Sequence, residues 1–212
     1  MRIAIIGAGN IGGALAGAAT TAGHDVVLSA SDPANAQRTA AKTGATAAKG
    51  NAEAVEGADL VVLAVPGSSV AGVAAELVEA LAGKIVVDAT NPLNAAYTDL
   101  TTAGVSSAEL LQQQLPGATV VKSLNTVFAS RYANPTEGGQ PLDALIAGDD
   151  ADAKASVAQL VESLGFHAVD AGGLRMARAL EEIAFLNISL NAGNGWTWQS
   201  AFQLVGPTTA AA

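Results

Sequence analysis

Residues 2–12 read RIAIIGAGNIG, and this stretch decides the fold. Its first five residues are apolar and mostly β-branched after the initial arginine, a pattern typical of a parallel strand buried on both faces. Gly7, Gly9 and Gly12 follow at once, and the apolar residues after them recur at every third or fourth position, the spacing of one helix face. The stretch therefore predicts a strand, a tight turn and a helix in immediate succession.

A Gly-x-Gly-x-x-Gly pattern between a strand and a helix is typical of a dinucleotide-binding turn. The first glycine permits the tight turn, the second lets the backbone approach a pyrophosphate, and the third lets helix and strand pack closely. The helix N-terminus attracts the phosphates. A Walker-type phosphate loop is excluded because no Gly-Lys-Ser/Thr sequence follows. We predict cofactor binding by Gly7, Ala8, Gly9, Asn10, Ile11 and Gly12.

Strands and helices continue to alternate as far as Asp170. The further predicted strands cover residues 25–29, 45–47, 59–65, 84–88, 119–124, 144–147 and 166–169. Buried strands joined by helices predict an α/β protein with a Rossmann-type doubly wound, mostly parallel sheet. Residues 1–170 form the predicted dinucleotide-binding domain. Residues 171–212 form a small C-terminal helical lobe that completes the pocket or a dimer interface, with a helix over 175–190 and a weaker continuation through Trp196 and Trp198 to Val205.

Composition excludes several classes of partner. The chain has 212 residues and a net charge of −9, so it offers no basic stripe for nucleic acid or anionic membranes. No apolar run is long enough to span a bilayer. The absence of cysteine rules out disulfides and thiolate nucleophiles and fits a reducing cytosol, so we expect a cytoplasmic protein.

The end of the second predicted strand should read the adenosine ribose, and it carries Ser29, Ser31 and Asp32. An acidic residue near this position accepts hydrogen bonds from ribose hydroxyls and repels the 2′-phosphate of NADP. An aspartate before a proline is equally an ordinary helix N-cap. The residues alone therefore favour NAD slightly over NADP.

Three loops that follow strand ends should form the reaction centre, since ligands of such sheets cross the carboxyl ends of the strands. The loops contain cofactor-binding candidates Ala64, Val65, Pro66, Asn91, Pro92, Asn125 and Thr126, and pocket candidates Leu93 and Val127. Apart from Asp88, they hold no acid or base. We predict no catalytic side chain and no metal ligand, which suits hydride transfer to an acceptor with its own electron sink.

The remaining titratable residues have plain structural interpretations. His24 follows a helix stop and His167 lies in a predicted strand, and neither has the neighbours of a catalytic triad. Glu181 and Glu182 lie on the last predicted helix near Arg178, where charge pairing within the helix is the simplest role. The apolar character of residues 183–190 predicts a homodimer.

Several motifs together resemble the coenzyme F420-dependent NADP oxidoreductases, whose fold is also similar to the cytosolic domain of six-transmembrane metalloreductases. The resemblance covers nearly the whole chain and rests on MRIAIIG at 1–7, GNIG at 9–12, AGH at 22–24, AVP at 64–66, DATNP at 88–92, KSLNT at 122–126, AGDD at 147–150 and VDAGGL at 169–174, followed by Arg178 and Glu181. It implies a nicotinamide dinucleotide in the glycine-rich loop and a nicotinamide beside Pro66, Asn91-Pro92 and Asn125-Thr126. The resemblance also implies a deazaflavin stacked on that ring, against a C-terminal lobe to which we assign Leu174 and Arg175.

The resemblance leaves the cofactor and the acceptor open. The family's Ser-Arg pair after the second strand falls on Ala30-Ser31, and Ala8 stands where some members have threonine, which weakens the expected contacts with a 2′-phosphate. The cofactor is therefore NADP or NAD. The acceptor is an F420-like deazaflavin, a flavin or a small molecule. The alternatives are a reductase of imines or carbonyls, disfavoured because only 41 residues follow residue 171, and a non-catalytic dinucleotide-binding redox sensor.

Overall fold

A computed structural model describes residues 1–206 of the chain. The strands are β1 (Arg2–Ile6), β2 (Asp25–Ser29), β3 (Thr46–Ala47), β4 (Leu60–Leu63), β5 (Ile85–Asp88), β6 (Thr119–Ser123), β7 (Thr136–Glu137), β8 (Gln140–Pro141), β9 (Asp143–Ala147) and β10 (His167–Gly172). The helices are α1 (Asn10–Thr21), α2 (Pro33–Thr43), α3 (Asn51–Val55), α4 (Val70–Leu77), α5 (Ser107–Gln114), α6 (Ala151–Ser163) and α7 (Ala177–Asn194).

Eight of these strands form one sheet in the order β10-β9-β6-β5-β4-β1-β2-β3. The six strands from β3 to β6 in that order are parallel, whereas β9 pairs with β6 in the antiparallel direction and β10 runs parallel to β9. The predicted Rossmann-type, mostly parallel sheet is therefore confirmed. Strand order reverses between β1 and β4, and ligands of open α/β sheets bind at such a switch point.

The two faces of the sheet are covered by different helices. Ile3 and Ile5 of β1 pack in one apolar cluster with residues of α1 and α6. Ala4 and Ile6 point to the opposite face and pack with residues of α4 and α5. Because side chains alternate along a strand and both faces are covered, every residue from 3 to 6 must be apolar. This requirement explains the uniform character of the opening stretch.

The structure differs from the sequence prediction at the C-terminus. Helix α7 ends at Asn194, since Gly195 adopts a left-handed backbone with φ 65° and closes the helix as its C-cap. The predicted continuation through Trp196 and Trp198 to Val205 is therefore wrong. Residues 195–206 have no regular structure and fold back along α7. The last part of the predicted 171–212 segment lies outside the described residues.

Short elements inside loops also escaped the sequence analysis. The five-residue helix α3 precedes β4, and β7 and β8 form a two-stranded hairpin where only a loop was expected. Within residues 1–206, no helix combines the length and apolar character that a bilayer crossing requires.

Candidate functional site

The glycine-rich turn between β1 and α1 has the shape that its sequence predicts. Gly7 has a φ of 119°, and a Cβ atom at Gly12 would lie 1.8 Å from the Gly7 carbonyl oxygen, so both positions require glycine. Gly9 is different, because its φ is −77° and a Cβ atom there would meet no atom within 4 Å. The fold thus needs Gly7 and Gly12, whereas Gly9 leaves space open at the helix N-terminus.

The start of α1 is prepared for an anion. Its first turn contains no acidic residue, and its N-cap Gly9 supplies no side-chain hydrogen bond to the free N–H groups of that turn. The Ala8 carbonyl oxygen accepts hydrogen bonds from Asn35 Nδ2 at 3.2 Å and Thr39 Oγ1 at 3.3 Å, which fixes the turn against α2. Free N–H groups on an anchored turn are the features that a pyrophosphate requires.

A cleft of about 700 Å³ extends from this turn across the ends of β1, β2 and β4. Gly7, Ala8, Gly9, Ser31 and Lys49 are among the residues that line it. Lys49 follows β3 and was not anticipated; its only signal in the sequence is a lone cation just after a strand. The lining also contains Glu76, whose carboxylate accepts a hydrogen bond from Asn51, so the cleft carries one cation and one carboxylate.

Two of the predicted ribose-reading residues make hydrogen bonds within the fold. Ser29 is fully buried, and its hydroxyl donates to Asn51 Oδ1 at 2.7 Å. Asp32 caps α2 by accepting a hydrogen bond from the Ala34 N–H at 3.0 Å, and its other oxygen lies 3.6 Å from Arg38. The carboxylate that favoured NAD thus caps α2, and it stands between Ser31 and Pro33, which both line the cleft.

A second cleft, of about 350 Å³, lies at the carboxyl ends of β4, β5 and β6 beneath α7. It shares Ala64, Val65 and Pro66 with the first cleft, so the two adjoin across the edge of the sheet. Its lining includes the predicted Ile11, Asn91, Leu93, Asn125, Thr126 and Val127, together with Ala184 and Ile188 of α7. The structure thus brings most of the predicted nicotinamide and pocket residues into one cavity.

The remaining predicted residues lie outside this second cleft. Asn10 begins α1 at the surface, and Pro92 is buried behind the loop, where its carbonyl accepts from Thr101. Leu174 packs into the apolar core, and its N–H donates to Asp149 at 2.8 Å. Arg175 is exposed and does not line the cleft. Leu174 and Arg175 are therefore not brought to the pocket, because the turn at residues 172–173 directs the chain beneath α5.

Two asparagines join the loops that follow β5 and β6. Asn91 Nδ2 donates to the Asn125 carbonyl at 2.9 Å, and Asn125 Nδ2 donates to Asn91 Oδ1 and to the Leu180 carbonyl of α7, both at 3.0 Å. The buried Asn125 Oδ1 has no hydrogen-bond partner among the described residues. This oxygen has almost no accessible surface, so it is an unpaired acceptor behind the cleft wall, an arrangement that is energetically unfavourable.

A buried charge cluster lies behind the same loops. Lys122 Nζ lies 3.0 Å from Asp88 Oδ2, 3.0 Å from Glu181 Oε1 and 2.7 Å from the Thr90 carbonyl oxygen. Glu181 also accepts hydrogen bonds from the backbone and hydroxyl of Ser107. The expected intrahelical role of Glu181 is therefore wrong, since its carboxylate reaches the sheet. Sequence reasoning missed Lys122 because it stands in a strand that is otherwise buried.

Arg178 likewise pairs outside its own helix. Its guanidinium makes two hydrogen bonds of 2.7 Å to the carboxylate of Glu109 on α5. This hydrogen bonding lowers the pKa of Glu109 from 4.5 to about 2. The pair fixes α7 to α5 on the side of the sheet opposite α1.

Neither histidine lines either cleft. His24 Nε2 lies 2.7 Å from Ser163 Oγ, and desolvation together with the neighbouring N-terminal charge lowers the His24 pKa. His167 Nδ1 lies 2.7 Å from Asp143 Oδ1 at the edge of the sheet. Within residues 1–206, no group of three or more histidine or acidic side chains could hold a metal ion.

The described lining of the second cleft is apolar or carries neutral polar groups. Tyr97 is its one ionisable residue among residues 1–206, and it lies 65% exposed with a left-handed φ of 57°. Such a cavity can align planar reactants and exclude water, but it offers no buried acid or base for proton transfer.

The fold and the two adjoining clefts define a Rossmann-type dinucleotide-binding protein. Residues 2–92 match the family model described as NADP oxidoreductase, coenzyme F420-dependent. The F420-dependent NADP reductase of Methanothermobacter marburgensis is 34% identical over 217 residues, which cover 92% of this chain and 94% of that protein. The chain belongs to the family of F420-dependent NADP oxidoreductases.

Two further comparisons agree with this assignment. A solved structure from Arthrobacter sp. FB24, provisionally described as an F420-dependent NADP reductase, is 33% identical and superposes with a TM-score of 0.87 over 97% of this chain and all of that one. The metalloreductase STEAP3 of Rattus norvegicus is 32% identical over 184 residues, which cover 86% of this chain but 36% of that protein. The resemblance to the F420-dependent NADP oxidoreductases is therefore confirmed, and the chain is also similar in sequence to a metalloreductase.

Proposed function

We propose that this protein transfers a hydride between NADPH and a deazaflavin of the F420 type. The observation that carries the proposal is the junction of the two clefts at residues 64–66, which places a dinucleotide-sized groove against an uncharged pocket. When both cofactors are bound, the reduced ring supplies the hydride and the oxidised ring accepts it. The pairing of NADPH with F420 is supported by relatives that are described as F420-dependent NADP reductases and match this chain over nearly their whole length.

The first cleft fits an NADP dinucleotide. The open space at Gly9 and the free N–H groups of α1 would hold the pyrophosphate. Lys49 and Ser31 line the adenosine end and would bind the 2′-phosphate, while Asp32 is engaged in its helix cap. This arrangement supports NADP over the NAD that the residues alone favoured.

The second cleft would hold the nicotinamide and the acceptor. Pro66 is shared by both clefts, and Asn91, Asn125 and Thr126 supply neutral polar groups to the lining of the second cleft. The apolar side chains of Ile11, Val127 and Ile188 would exclude water from the reacting faces. We propose that the protein contributes alignment and exclusion of water and leaves electron transfer to the two cofactors.

The two alternatives are a reductase of imines or carbonyls, which needs a proton donor in the cavity, and a redox sensor, which would not turn the nucleotide over. An imine or carbonyl reductase must supply a proton to its product, and the described lining offers only the exposed phenol of Tyr97. A redox sensor would bind the nucleotide without turning it over. We retain the hydride-transfer proposal because the acceptor of such a reaction needs no protein acid.

We further propose that the protein is a cytoplasmic homodimer whose residues 171–206 complete the pocket and contribute to the interface. The absence of cysteine supports a reducing compartment. Leu186 and Leu190 of α7 lie four residues apart on one helix face and remain 50% and 36% exposed. An exposed apolar pair on the helix that roofs the cleft favours a subunit contact there.

The test is anaerobic mixing of the protein with NADPH and oxidised F420, followed by the absorbance of each cofactor. We expect matched loss of both absorbances, a slower reaction with a free flavin and no oxidation with a cyclic imine. Turnover of the imine alone would replace the proposal with the reductase alternative. Tight NADPH binding without oxidation by any acceptor would establish a sensor.

A further inference from the structure

The segment 195–206, which we call the C-terminal strap, is fixed to α7 by two asparagines. Asn187 and Asn191 are 3% and 1% exposed, an unusual burial for amides in a helix. Ser200 Oγ donates to Asn187 Oδ1 and accepts from Asn191 Nδ2, both at 2.6 Å, and the Trp198 N–H donates to Asn191 Oδ1 at 3.1 Å. Because these buried amides bond to the strap, its position is determined by the fold.

The strap touches the loop that follows β6 at Phe128. The rings of Trp198 and Phe128 meet edge to face, with centroids 5.5 Å apart and an interplanar angle of 78°. The Trp198 carbonyl accepts a hydrogen bond from Ser130 Oγ, which holds the indole over this loop. Phe128 itself lines the second cleft, beside Thr126 and Val127. Trp198 therefore contacts the wall of the second cleft through a single side chain, that of Phe128.

The far end of the strap faces the same loop across a small cavity. Phe202 and Leu204 close a further cavity of about 190 Å³, whose lining also contains Thr126 and Val127. The Leu204 N–H donates to Asp143, and Gln203 Nε2 donates to the Pro141 carbonyl at 3.0 Å. The loop that follows β6 thus lies between the second cleft and this further cavity, which the strap closes.

Backbone strain points to the same place. Among the described residues, the non-glycine positions with positive φ are Tyr97, Leu124 and Trp198. Tyr97 and Leu124 line the second cleft, and Trp198 contacts it through Phe128. Left-handed backbone is unfavourable for such side chains, and it persists at sites where the surrounding structure imposes it for function. The strap therefore has the same left-handed backbone, at Trp198, as the wall of the second cleft has at Tyr97 and Leu124.

We propose that Trp198 is a positioning residue that sets the shape of the acceptor pocket by fixing the ring of Phe128. This inference rests on the proposed function, because it takes F420 as the acceptor that binds in the second cleft. An edge-to-face pair holds a ring in one orientation, so its loss lets Phe128 move into space that a planar acceptor must enter. The effect should be larger on the acceptor than on NADPH, because the adenosine and pyrophosphate of NADPH would bind in the first cleft, which Phe128 does not line.

The experiment compares Trp198→Ala with Trp196→Ala. Both tryptophans belong to the strap and are about half exposed, but only Trp198 has an aromatic contact among the described residues. Binding of oxidised F420 to the NADP⁺-loaded protein is followed by deazaflavin fluorescence, which requires no turnover. We expect the F420 Kd to rise about five-fold in Trp198→Ala and to stay within about two-fold of wild type in Trp196→Ala. The NADPH Kd should stay within about two-fold of wild type in both, because most of its contacts would lie in the first cleft.

Trp198→Phe separates positioning from general stabilisation, because phenylalanine restores an edge against Phe128. We expect it to recover most of the F420 affinity. Equal F420 Kd values in wild type and Trp198→Ala would overturn the proposal, as would a parallel loss of NADPH and F420 affinity. Failure of the wild type to bind F420 at all would also overturn it, while NADPH oxidation with another acceptor would then keep the protein an oxidoreductase.

Discussion

The ammonium group of Lys122 lies 3.0 Å from the carboxylate of Glu181, and both side chains are almost wholly removed from solvent. The contact joins β6, in the centre of the sheet, to α7, the helix that covers the second cleft. Asp88 and the Thr90 carbonyl complete the surroundings of the ammonium group. The helix above the cleft is therefore held to the strand ends by a charge as well as by apolar packing.

We expect Lys122→Met to lower the free energy of unfolding by about 3–5 kcal/mol, because it leaves Asp88 and Glu181 buried without a cation. Urea unfolding at neutral pH gives the measurement. The matched control is Lys154→Met, whose ammonium pairs with the largely exposed Asp170 and should contribute about 0–1 kcal/mol. A loss in Lys122→Met no larger than in the control would contradict the stabilising role of the cluster.

Gly9→Glu should abolish NADPH binding while the protein unfolds at the wild-type temperature, since the new side chain enters open space and repels the pyrophosphate. Gly193→Ala also meets no neighbouring atom, so it controls for a lost glycine away from the cleft. Gly12→Ala should instead lower the melting temperature, because its Cβ atom would collide with the Gly7 carbonyl. Isothermal titration and thermal melts separate these outcomes. Retained NADPH affinity in Gly9→Glu would move the site elsewhere.

Lys49→Ala should raise the Kd for NADPH about ten-fold and leave that for NADH unchanged, because only NADPH carries the 2′-phosphate. Lys42→Ala removes a cation from the end of α2, outside this cleft, and should change neither constant. Equal losses of NADPH and NADH affinity in Lys49→Ala would show that Lys49 does not read the phosphate. Ser31→Arg with Asp32→Asn should strengthen the preference for NADPH.

Glu109→Gln should destabilise the protein in a manner that depends on pH. The hydrogen bond from Arg178 lowers the folded-state pKa of Glu109 to about 2. A depressed carboxyl pKa stabilises the fold above its ordinary value of 4.5, and this stabilisation is lost as pH falls toward 2. The difference in melting temperature from wild type should therefore be largest at neutral pH and shrink below pH 4.5. The exposed Glu182→Gln should show no such trend, and a constant difference for Glu109→Gln would refute the pairing.

The proposed dimer is tested by light scattering at micromolar protein concentration. Leu186→Glu should yield monomers, since it places a charge on the exposed apolar face of α7. Leu110→Glu introduces the same charge at a leucine of α5 with 38% exposure and should leave the dimer intact. A wild-type monomer, or equal dissociation by both substitutions, would exclude α7 as the interface.

Most of the fold can be predicted from local features of the sequence. The glycine turn depends on residues that are neighbours in the chain, and the continuous apolar strands reflect burial on both faces, so both could be read directly. Because the carboxyl ends of parallel strands share one edge of the sheet, the sequence also predicts that Asn91 and Asn125 lie close together, as they do. The antiparallel direction of β9 could not be read, because strand direction depends on the path of the preceding loop.

The errors concern side chains that act across long distances in sequence. Glu181 was expected to pair within α7, since its partner Lys122 comes from a strand whose pattern is otherwise apolar. Asp32 fits two roles, and its hydrogen bond from the Ala34 N–H confirms the helix cap without testing the other role. Leu174 was assigned to the pocket by resemblance, whereas the turn before it buries the side chain in the core.

The paired amides of Asn91 and Asn125 bear on the thermodynamics of ligand entry. Each amide already bonds to the other loop, and Asn125 also bonds to α7, before any ligand arrives. The conformational entropy of these two loops is therefore lost when the chain folds. Ligand binding does not have to order them again. A ligand entering this cleft meets a preorganised wall, so its binding free energy is not reduced by the ordering of these two loops.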